Sequence, residues 1–384
     1  MKIPLSAPDI REEEIAAVVD VLRSSRLSMG PKLEEFEQAI TTYIGARHAI
    51  GVSSGTAGLH LIVRALGIGA GDEVIVPSFA FIAVANVLRY EGAMPVFVDI
   101  EPETLNLDPH RIEAAITSRT KAILIVHTFG CPADLSEILE IARRHRLYVI
   151  EDACEAIGAE YDGRKVGVCG DASVFAFYPN KQITTGEGGM IVTGNPAIAA
   201  TARALRNQGR ADSDDWFQHS EIGYNYRLPE MNCALGIEQL KRIDAILPRR
   251  EQIATQYDAR LRENRDLVLP PLAAPRRKIS WFVYVVRLSE HFAQFQRDWI
   301  VKEMERRGIG CGRYFAPIHL QPAYRDLSAP RADLKVTERE AARSLALPFF
   351  NRLQESEIDE VCETLHELIH RAREIAPAGE PVCR

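Results

Sequence analysis

The amino-acid sequence predicts an α/β fold built on a mainly parallel sheet, and two features of the middle of the chain support this. Short apolar segments alternate with helical segments, and each apolar segment is almost continuously hydrophobic. Parallel strands that are covered by helices on both faces have this pattern. The predicted pairs are strand 73–76 with helix 80–90, strand 95–98 with helix 109–116, and strand 122–126 with helix 135–145, followed by strand 148–150.

The length of 384 residues favours two domains, because a single hydrophobic core stops growing at about 250–300 residues. We expect a large α/β domain over residues 1–240 and a smaller α+β domain over residues 241–384. The first 25 residues or so are expected to pack on the smaller domain. One long helix that begins near Pro229 is expected to join the two domains.

Composition narrows the classes of function. The formal net charge is −7 and the basic clusters are short, so the sequence predicts no nucleic-acid partner and no binding to an anionic membrane. Seven cysteines without a Cys-x-x-Cys pair argue against a disulfide framework and against a zinc site, and no metal is expected. The amino terminus lacks a signal-peptide core, and no apolar run approaches about 18 residues. These features predict a cytoplasmic protein without a membrane span.

Two amphipathic helices are predicted near the amino terminus. The first has capping-box spacing at Asp9 and Glu12, and Pro31 suits the first turn of the second. Their expected apolar faces are Ile15, Val18, Val19 and Leu22 in the first helix, and Leu33, Phe36, Ile40 and Ile44 in the second.

The most informative stretch is 173–189, Ser-Val-Phe-Ala-Phe-Tyr-Pro-Asn-Lys-Gln-Ile-Thr-Thr-Gly-Glu-Gly-Gly. It begins as an aromatic strand, and Pro179 stops the strand pairing. Lys181 follows at the exit of that strand. Partial burial lowers the pKa of a lysine and supplies the nucleophilic amine that Schiff-base chemistry requires. For an isolated lysine, a solvated loop position is the alternative.

Two further groups are expected near Lys181, because ligands of parallel sheets bind at the carboxyl ends of the strands. Ser54-Gly55-Thr56 opens a helix and can present N–H groups and hydroxyls to an anion, although an ordinary N-cap has the same sequence. Asp152 is at the end of an apolar strand. Its carboxylate could cap the amino terminus of a helix, or it could keep a heteroaromatic nitrogen protonated. Phe81 could stack on such a ring. Together these residues match the needs of pyridoxal phosphate (PLP).

The sequence resembles the DegT/DnrJ family of nucleotide-sugar aminotransferases, which are fold-type I PLP enzymes, over nearly its whole length. The pairing of Asp152 with Lys181 and the Gly-Glu-Gly-Gly exit are the specific part. The resemblance implies a seven-stranded, mainly parallel sheet in the large domain. The matching motifs are Leu27-Ser-Met-Gly-Pro-Lys32, Ser54-Gly-Thr-Ala57, Pro77-Ser-Phe-Ala-Phe81, Glu151-Asp-Ala-Cys-Glu155, the 177–189 part of the lysine stretch, Gly223-Tyr-Asn-Tyr-Arg227 and Pro317-Ile-His-Leu-Gln-Pro-Ala-Tyr324.

The resemblance also implies roles for single residues around the cofactor. Lys181 would be the Schiff-base lysine and, once displaced, the base that moves a proton. Asp152 would hold the pyridinium nitrogen, and Glu155 would lie near the phenolic oxygen of the cofactor. Asn225 would reach the phosphate in the neighbouring subunit, which implies a homodimer with shared active sites. Where many relatives have a phosphate-binding serine, this chain has Ala176.

Three more residues, Arg313, Tyr314 and His319, match the region that covers the sugar nucleotide in such enzymes, with surface packing as the alternative. The implied reaction transfers an amino group, from L-glutamate, to a nucleotide-linked keto sugar for surface polysaccharide synthesis. The motif around Lys181 is most similar to enzymes that act at C4 of 4-keto-6-deoxy sugars. Alternatives are a 3-keto sugar, a keto-cyclitol, an elimination or sulfur-removal activity of the same fold type, and a non-catalytic regulatory relative.

Overall fold

A computed structural model of the protein describes residues 1–211, 215, 218–325, 327 and 333–375. Within these residues, no helix combines the length and the apolar character needed to cross a membrane. The strands are β1 (His48–Val52), β2 (Glu73–Pro77), β3 (Met94–Val98), β4 (Thr120–Val126), β5 (Tyr148–Asp152), β6 (Glu160–Tyr161), β7 (Arg164–Lys165), β8 (Ala172–Ala176), β9 (Gly189–Thr193), β10 (Leu267–Val268), β11 (Arg277–Lys278), β12 (Tyr284–Leu288) and β13 (Ser344–Leu347). The α-helices are α1 (Glu12–Arg23), α2 (Pro31–Ile44), α3 (Gly55–Ala65), α4 (Ala83–Tyr90), α5 (Leu135–His145), α6 (Pro196–Arg206), α7 (Glu230–Lys241), α8 (Ile243–Leu261), α9 (Gln294–Arg306), α10 (Lys335–Arg343) and α11 (Glu355–Ala372).

The largest sheet has seven strands in the order β1-β9-β8-β5-β4-β2-β3. The run from β8 to β3 is parallel, and β9 is antiparallel to both of its neighbours. This confirms the α/β class and the mainly parallel sheet. The four predicted strands correspond to β2, β3, β4 and β5, each one or two residues longer than predicted.

Helices cover both faces of this sheet, as the continuous apolar strands predict. In β4, Ile123 and Ile125 belong to the core beneath α2, α5 and α7. The alternate residues Ala122 and Leu124 belong to the core beneath α3, α4 and α6. The predicted apolar face of α2 is confirmed, since its four residues are all buried.

A separate core surrounds the three-stranded sheet β10-β12-β13 and the helices α9 and α11. Helix α8 contributes to two cores: Ile246 packs with the large sheet and Tyr257 packs with the small one. Ile3 also belongs to the core of the small sheet. The boundary after residue 240 stays a prediction.

The expected long helix is divided into α7 and α8 at Arg242. The guanidinium of Arg242 binds the carboxylates of Asp9 and Glu14, each at 2.5 Å. The capping box predicted at Asp9 and Glu12 is wrong, because Asp9 is committed to this ion pair. Helix α1 instead begins with Glu14 accepting a hydrogen bond from the N–H of Arg11.

The predicted apolar face of α1 is wrong in part. Ile15 is 48% exposed and Leu22 is 55% exposed, whereas Val18 and Val19 are half-buried and Val21 is buried. The cause is the polar packing of α1 on α7, in which the buried carboxylate of Glu14 accepts a hydrogen bond from Gln239. Hydrophobic periodicity was therefore right for two of the four residues of this face and wrong for Ile15 and Leu22.

One predicted helix, 109–116, forms two 3-10 turns instead, Pro109–Arg111 and Glu113–Ala115. A helix of eight residues forms few backbone hydrogen bonds, and these offset little of the free-energy cost of helix nucleation. Helix 80–90 also begins later than predicted, at Ala83.

Glu230, the first residue of α7, provides a testable contribution to the fold. Its buried carboxylate accepts hydrogen bonds from the N–H groups of Gly30, Lys32 and Leu33, at 2.8–3.0 Å, and so caps α2. We expect Glu230→Ala to lower the free energy of unfolding by about 2 kcal/mol, because three donors lose their acceptor. Urea denaturation at one protein concentration measures this. Exposed Glu34 in the first turn of α2 is the matched control, and Glu34→Ala should change the free energy by less than about 0.5 kcal/mol. Equal effects would contradict the capping role.

Candidate active site

A cavity of about 480 Å³ lies at the carboxyl end of the parallel strands, where β5, β8 and the amino terminus of α3 meet. This volume is within the range of small-molecule sites. The predicted site residues that line it are Ser54, Gly55, Thr56, Phe81, Asp152, Glu155, Lys181 and Tyr314. Asn225, Arg313 and His319 are outside its lining.

Lys181 projects into this cavity after β8 ends at Ala176. Its N–H donates to the carbonyl of Tyr178 at 2.9 Å, which turns the chain at the strand exit. The amine lies 3.6 Å from Oε1 of Glu155 and 4.1 Å from the ring centre of Phe282. The side chain is only 13% exposed, so the alternative of a solvated loop lysine does not hold.

Asp152, the last residue of β5, is buried at the cavity wall. Its Oδ1 accepts the N–H of Cys154 at 3.1 Å. Turns rather than a helix follow it over residues 153–159, all of which the structure describes. The helix N-cap alternative for Asp152 is therefore wrong, and its carboxylate is available to a ligand.

The amino terminus of α3 forms the opposite wall. Ser54 caps the helix, with Oγ accepting the N–H of Ala57 at 3.1 Å. The N–H groups of Gly55 and Thr56 belong to the first turn and so have no partner within the helix. A side chain at Gly55 would place its Cβ 2.8 Å from Cys154 Sγ and 2.9 Å from Ala176 Cβ. The glycine lets the helix terminus approach the cavity, where it can bind an anion.

Behind the cavity, an interior hydrogen bond fixes the end of β5. Glu151 and His127 are both fully buried, with Nε2 of His127 3.0 Å from Oε2 of Glu151. Glu151 also accepts the N–H groups of Gly167, Cys169 and Gly170. Burial raises the pKa of Glu151, but the hydrogen bonds from His127 and the backbone outweigh it and lower the pKa overall.

Asn225 is exposed, but the segment around it is anchored in its own chain. Tyr224 donates a hydrogen bond to Glu91 at 3.2 Å, and the hydroxyl of Tyr226 lies 3.1 Å from Nδ1 of buried His60. The two tyrosine rings stack 5.0 Å apart. Asn225 therefore stands between two anchored residues and faces solvent.

Of the three residues expected over the substrate, Tyr314 alone lines the cavity. Arg313 is exposed and forms an ion pair with Asp298 at 2.9 Å. His319 lies 2.7 Å from Ser78 Oγ through Nδ1 and 3.1 Å from Glu338 through Nε2. These contacts tie its segment to the end of β2.

The cavity also contains residues that sequence reasoning missed. Tyr178, Asn180 and Glu187 line it, and their nearness to Lys181 in sequence was an available signal. Phe315 lines it as well and directly follows the predicted Tyr314. Phe282 also lines it, but it comes from a distant part of the chain and no spacing pointed to it.

The fold and this cavity define a PLP-type aminotransferase site, and comparison with known proteins agrees. The chain belongs to the DegT/DnrJ/EryC1/StrS aminotransferase family, whose model matches residues 8–366. It is 42% identical over 370 residues to a GDP-perosamine synthase from Caulobacter vibrioides, covering 96% of this chain and 98% of that protein.

Solved structures give the same result. PseC of Helicobacter pylori, an aminotransferase involved in the biosynthesis of pseudoaminic acid, superimposes with a TM-score of 0.92 at 30% identity, covering 97% of this chain and 100% of that one. A Streptococcus pneumoniae protein described as a sugar aminotransferase, in its PLP form, superimposes with a TM-score of 0.92 at 28% identity, covering 97% and 100%. The family, the fold class, the sugar aminotransferase activity and the PLP cofactor predicted from the sequence are confirmed.

The residues present fit PLP. The cavity contains an amine, a buried carboxylate and a helix terminus with N–H groups that have no partner within the helix. The amine suits the aldehyde of PLP, the carboxylate suits its ring nitrogen, and the helix terminus suits its phosphate. A Cβ on Gly55 would fill the space beside Ala176, and we expect the phosphate to be held next to this glycine.

This arrangement predicts opposite effects of two substitutions on PLP affinity. Ala176→Ser should tighten PLP binding about tenfold, because a hydroxyl bonded to a charged phosphate contributes about 1.5 kcal/mol. Gly55→Ala should weaken it at least about tenfold, because the new Cβ would clash with Cys154. Equilibrium dialysis of the cofactor-free variants gives both dissociation constants. Unchanged affinity in both variants would place the phosphate elsewhere.

Proposed function

We propose that this enzyme transfers an amino group from L-glutamate to a nucleotide-linked keto sugar, with a 4-keto-6-deoxyhexose as the substrate and a surface glycan as the destination. The observation that carries the proposal is the cavity that sets Lys181 beside two buried carboxyls at a helix terminus. The 42% identity to a GDP-perosamine synthase supports a nucleotide-sugar substrate.

PLP supplies the electron sink that stabilises negative charge on the carbon losing its proton. The chain's own groups do the rest. Lys181 Nζ would hold the cofactor and would move a proton from and to that carbon. Asp152 would keep the ring nitrogen protonated, and Thr56 with the first turn of α3 would bind the phosphate.

Aromatic side chains give the cavity an apolar wall. Tyr314 stacks on Phe315 with ring centres 5.2 Å apart, and Phe282 covers the Lys181 amine. Phe81 is 61% exposed and Tyr178 is 51% exposed at the cavity. We propose that these two rings are covered when the cofactor and the sugar bind, which excludes water from the reacting atoms.

The proposed location is the cytoplasm, which the free thiols of the six described cysteines support. We further propose a homodimer in which Asn225 of each subunit reaches the phosphate site of the other. Its exposure between Tyr224 and Tyr226 supports this, since a residue held outward by its own chain can reach a second one.

The reaction is tested by incubating the purified enzyme with nitrogen-15-labelled glutamate and a panel of nucleotide-linked 4-keto and 3-keto sugars and a keto-cyclitol. Mass spectrometry should find the label in the product of a 4-keto-6-deoxy sugar. Lys181→Ala should abolish this transfer, since no other amine lines the cavity within the described residues. Transfer only to a 3-keto sugar or a cyclitol would overturn the substrate assignment, and transfer to none would overturn the proposed function.

Shared sites are tested by mixing Lys181→Ala subunits with Asn225→Ala subunits. If Asn225 serves the partner, each mixed dimer has one site with both lesions and one site with neither. Amino transfer by the mixed dimers should then recover toward half of the wild-type rate. Subunit exchange is verified by native mass spectrometry, and exchange without recovery would show that Asn225 serves its own chain or no site.

A further inference from the structure

A group of polar and aromatic side chains, the Glu91 cluster, lies outside the lining of the cavity. It consists of His60 on α3, Glu91 immediately after α4, and Tyr224 and Tyr226 on either side of Asn225. The side chains of His60 and Glu91 are only 4% and 12% exposed. A buried carboxylate is costly unless hydrogen bonds satisfy it, so the contacts of Glu91 show what holds the cluster together.

Glu91 binds three side chains. Its Oε1 lies 2.7 Å from Nε2 of His60 and accepts the hydroxyl of Tyr224 at 3.2 Å, while Oε2 accepts from Arg64 at 3.1 Å. Burial raises the pKa of Glu91, but the hydrogen bonds from His60 and Arg64 outweigh it and lower the pKa overall. The carboxyl is therefore ionised near pH 7. Since a carboxylate only accepts, Nε2 of His60 donates to it.

The Glu91 cluster holds the chain on both sides of Asn225. Glu91 binds Tyr224 directly, and His60 extends the contact to Tyr226, whose hydroxyl lies 3.1 Å from Nδ1 of His60. The planes of the two stacked tyrosine rings differ by 10°. Both neighbours of Asn225 are thus held by side chains of other elements, and Asn225 alone of these three residues is exposed.

The backbone of the same segment also meets the phosphate-binding region of its own chain. The carbonyl of Tyr226 accepts the N–H of Ser53 at 2.9 Å, and Ser53 directly precedes the residues that open α3. Two routes therefore connect Glu91 with a bound phosphate. One runs through Asn225 to the partner subunit, and the other runs through α3 of its own chain.

We propose that Glu91 is a positioning residue for the cofactor phosphate: it fixes the tyrosines on both sides of Asn225 and so aims the Asn225 amide at the partner subunit. The inference rests on the shared sites of the proposed homodimer. Hydrogen bonds weaken steeply with distance and angle. An Asn225 whose neighbours have lost their ties should therefore bind the phosphate less well, although Glu91 itself does not touch the cofactor.

The test is a double-mutant cycle on PLP affinity, which needs no turnover. Equilibrium dialysis of cofactor-free wild type, Glu91→Ala, Asn225→Ala and the double variant gives four dissociation constants. Asn225→Ala should raise the constant about tenfold and Glu91→Ala about fivefold, because a hydrogen bond to a charged phosphate is lost or weakened. The double variant should bind PLP no more weakly than Asn225→Ala alone, because Glu91 then has no amide left to position.

The cycle separates the two routes. If the effects multiply to about fiftyfold in the double variant, Glu91 acts through α3 or through general destabilisation, and the inference is wrong. An unchanged constant in either single variant would overturn it as well. If Glu91→Ala does not fold, Tyr224→Phe takes its place in the cycle. It removes only the hydroxyl that binds Glu91, and it should raise the constant about threefold, with no effect in the Asn225→Ala background.

Glu73→Ala is the matched control. Glu73 is also a buried carboxylate that accepts hydrogen bonds from Thr117 and Arg119, but it begins β2 at the end of the sheet remote from the cavity. Its loss should leave the constant within about twofold of wild type. A loss of affinity equal to that of Glu91→Ala would contradict the inference. A wild-type protein that shows the predicted cycle but transfers no amino group would support the role of Glu91 and contradict the proposed function.

Discussion

The position of the active site depends on one interior carboxylate, Glu151. It lies on β5 immediately before Asp152, and neighbouring side chains of a strand point to opposite faces of the sheet. The carboxylate of Glu151 is held by hydrogen bonds from His127 and from three backbone N–H groups. The N–H of Ala133 donates to Nδ1 of His127, so the ring proton is on Nε2 and is donated to Glu151. Because Glu151 and Asp152 are neighbours on β5, holding Glu151 in place also fixes the position of the Asp152 carboxylate at the cavity.

A second constraint is the close approach of backbone at the start of β9. A Cβ on Gly189 would lie 2.5 Å from the carbonyl oxygen of Ser54. The Gly-Glu-Gly-Gly exit after Lys181 therefore lets β9 pass directly beneath the amino terminus of α3. The lysine, the carboxylates and the helix terminus reach one cavity because the backbone packs this closely, and the same packing excludes a side chain at Gly55.

The sequence predicted the parts of this arrangement that depend on local pattern. Continuous apolar strands located β2 to β5, and the polar residues at the ends of β5 and of the aromatic strand β8 pointed to Asp152 and Lys181. Long-range contacts were not predictable. Phe282 covers Lys181 although a hundred residues separate them, and Tyr226 meets His60 across 166 positions. In helix α1, Ile15 and Leu22 of the predicted apolar stripe are exposed, and the buried position is taken by Glu14, which pairs with Arg242.

The most direct test of the site is the position of the covalent link to PLP. Reduction of the holoenzyme with borohydride makes that link permanent, and peptide mass spectrometry then identifies the modified residue. Geometry predicts a single labelled lysine, Lys181, whose amine lies inside the cavity between Glu155 and Phe282. A label on any other lysine, or PLP that binds without a reducible link, would contradict the assignment of this cavity as the active site.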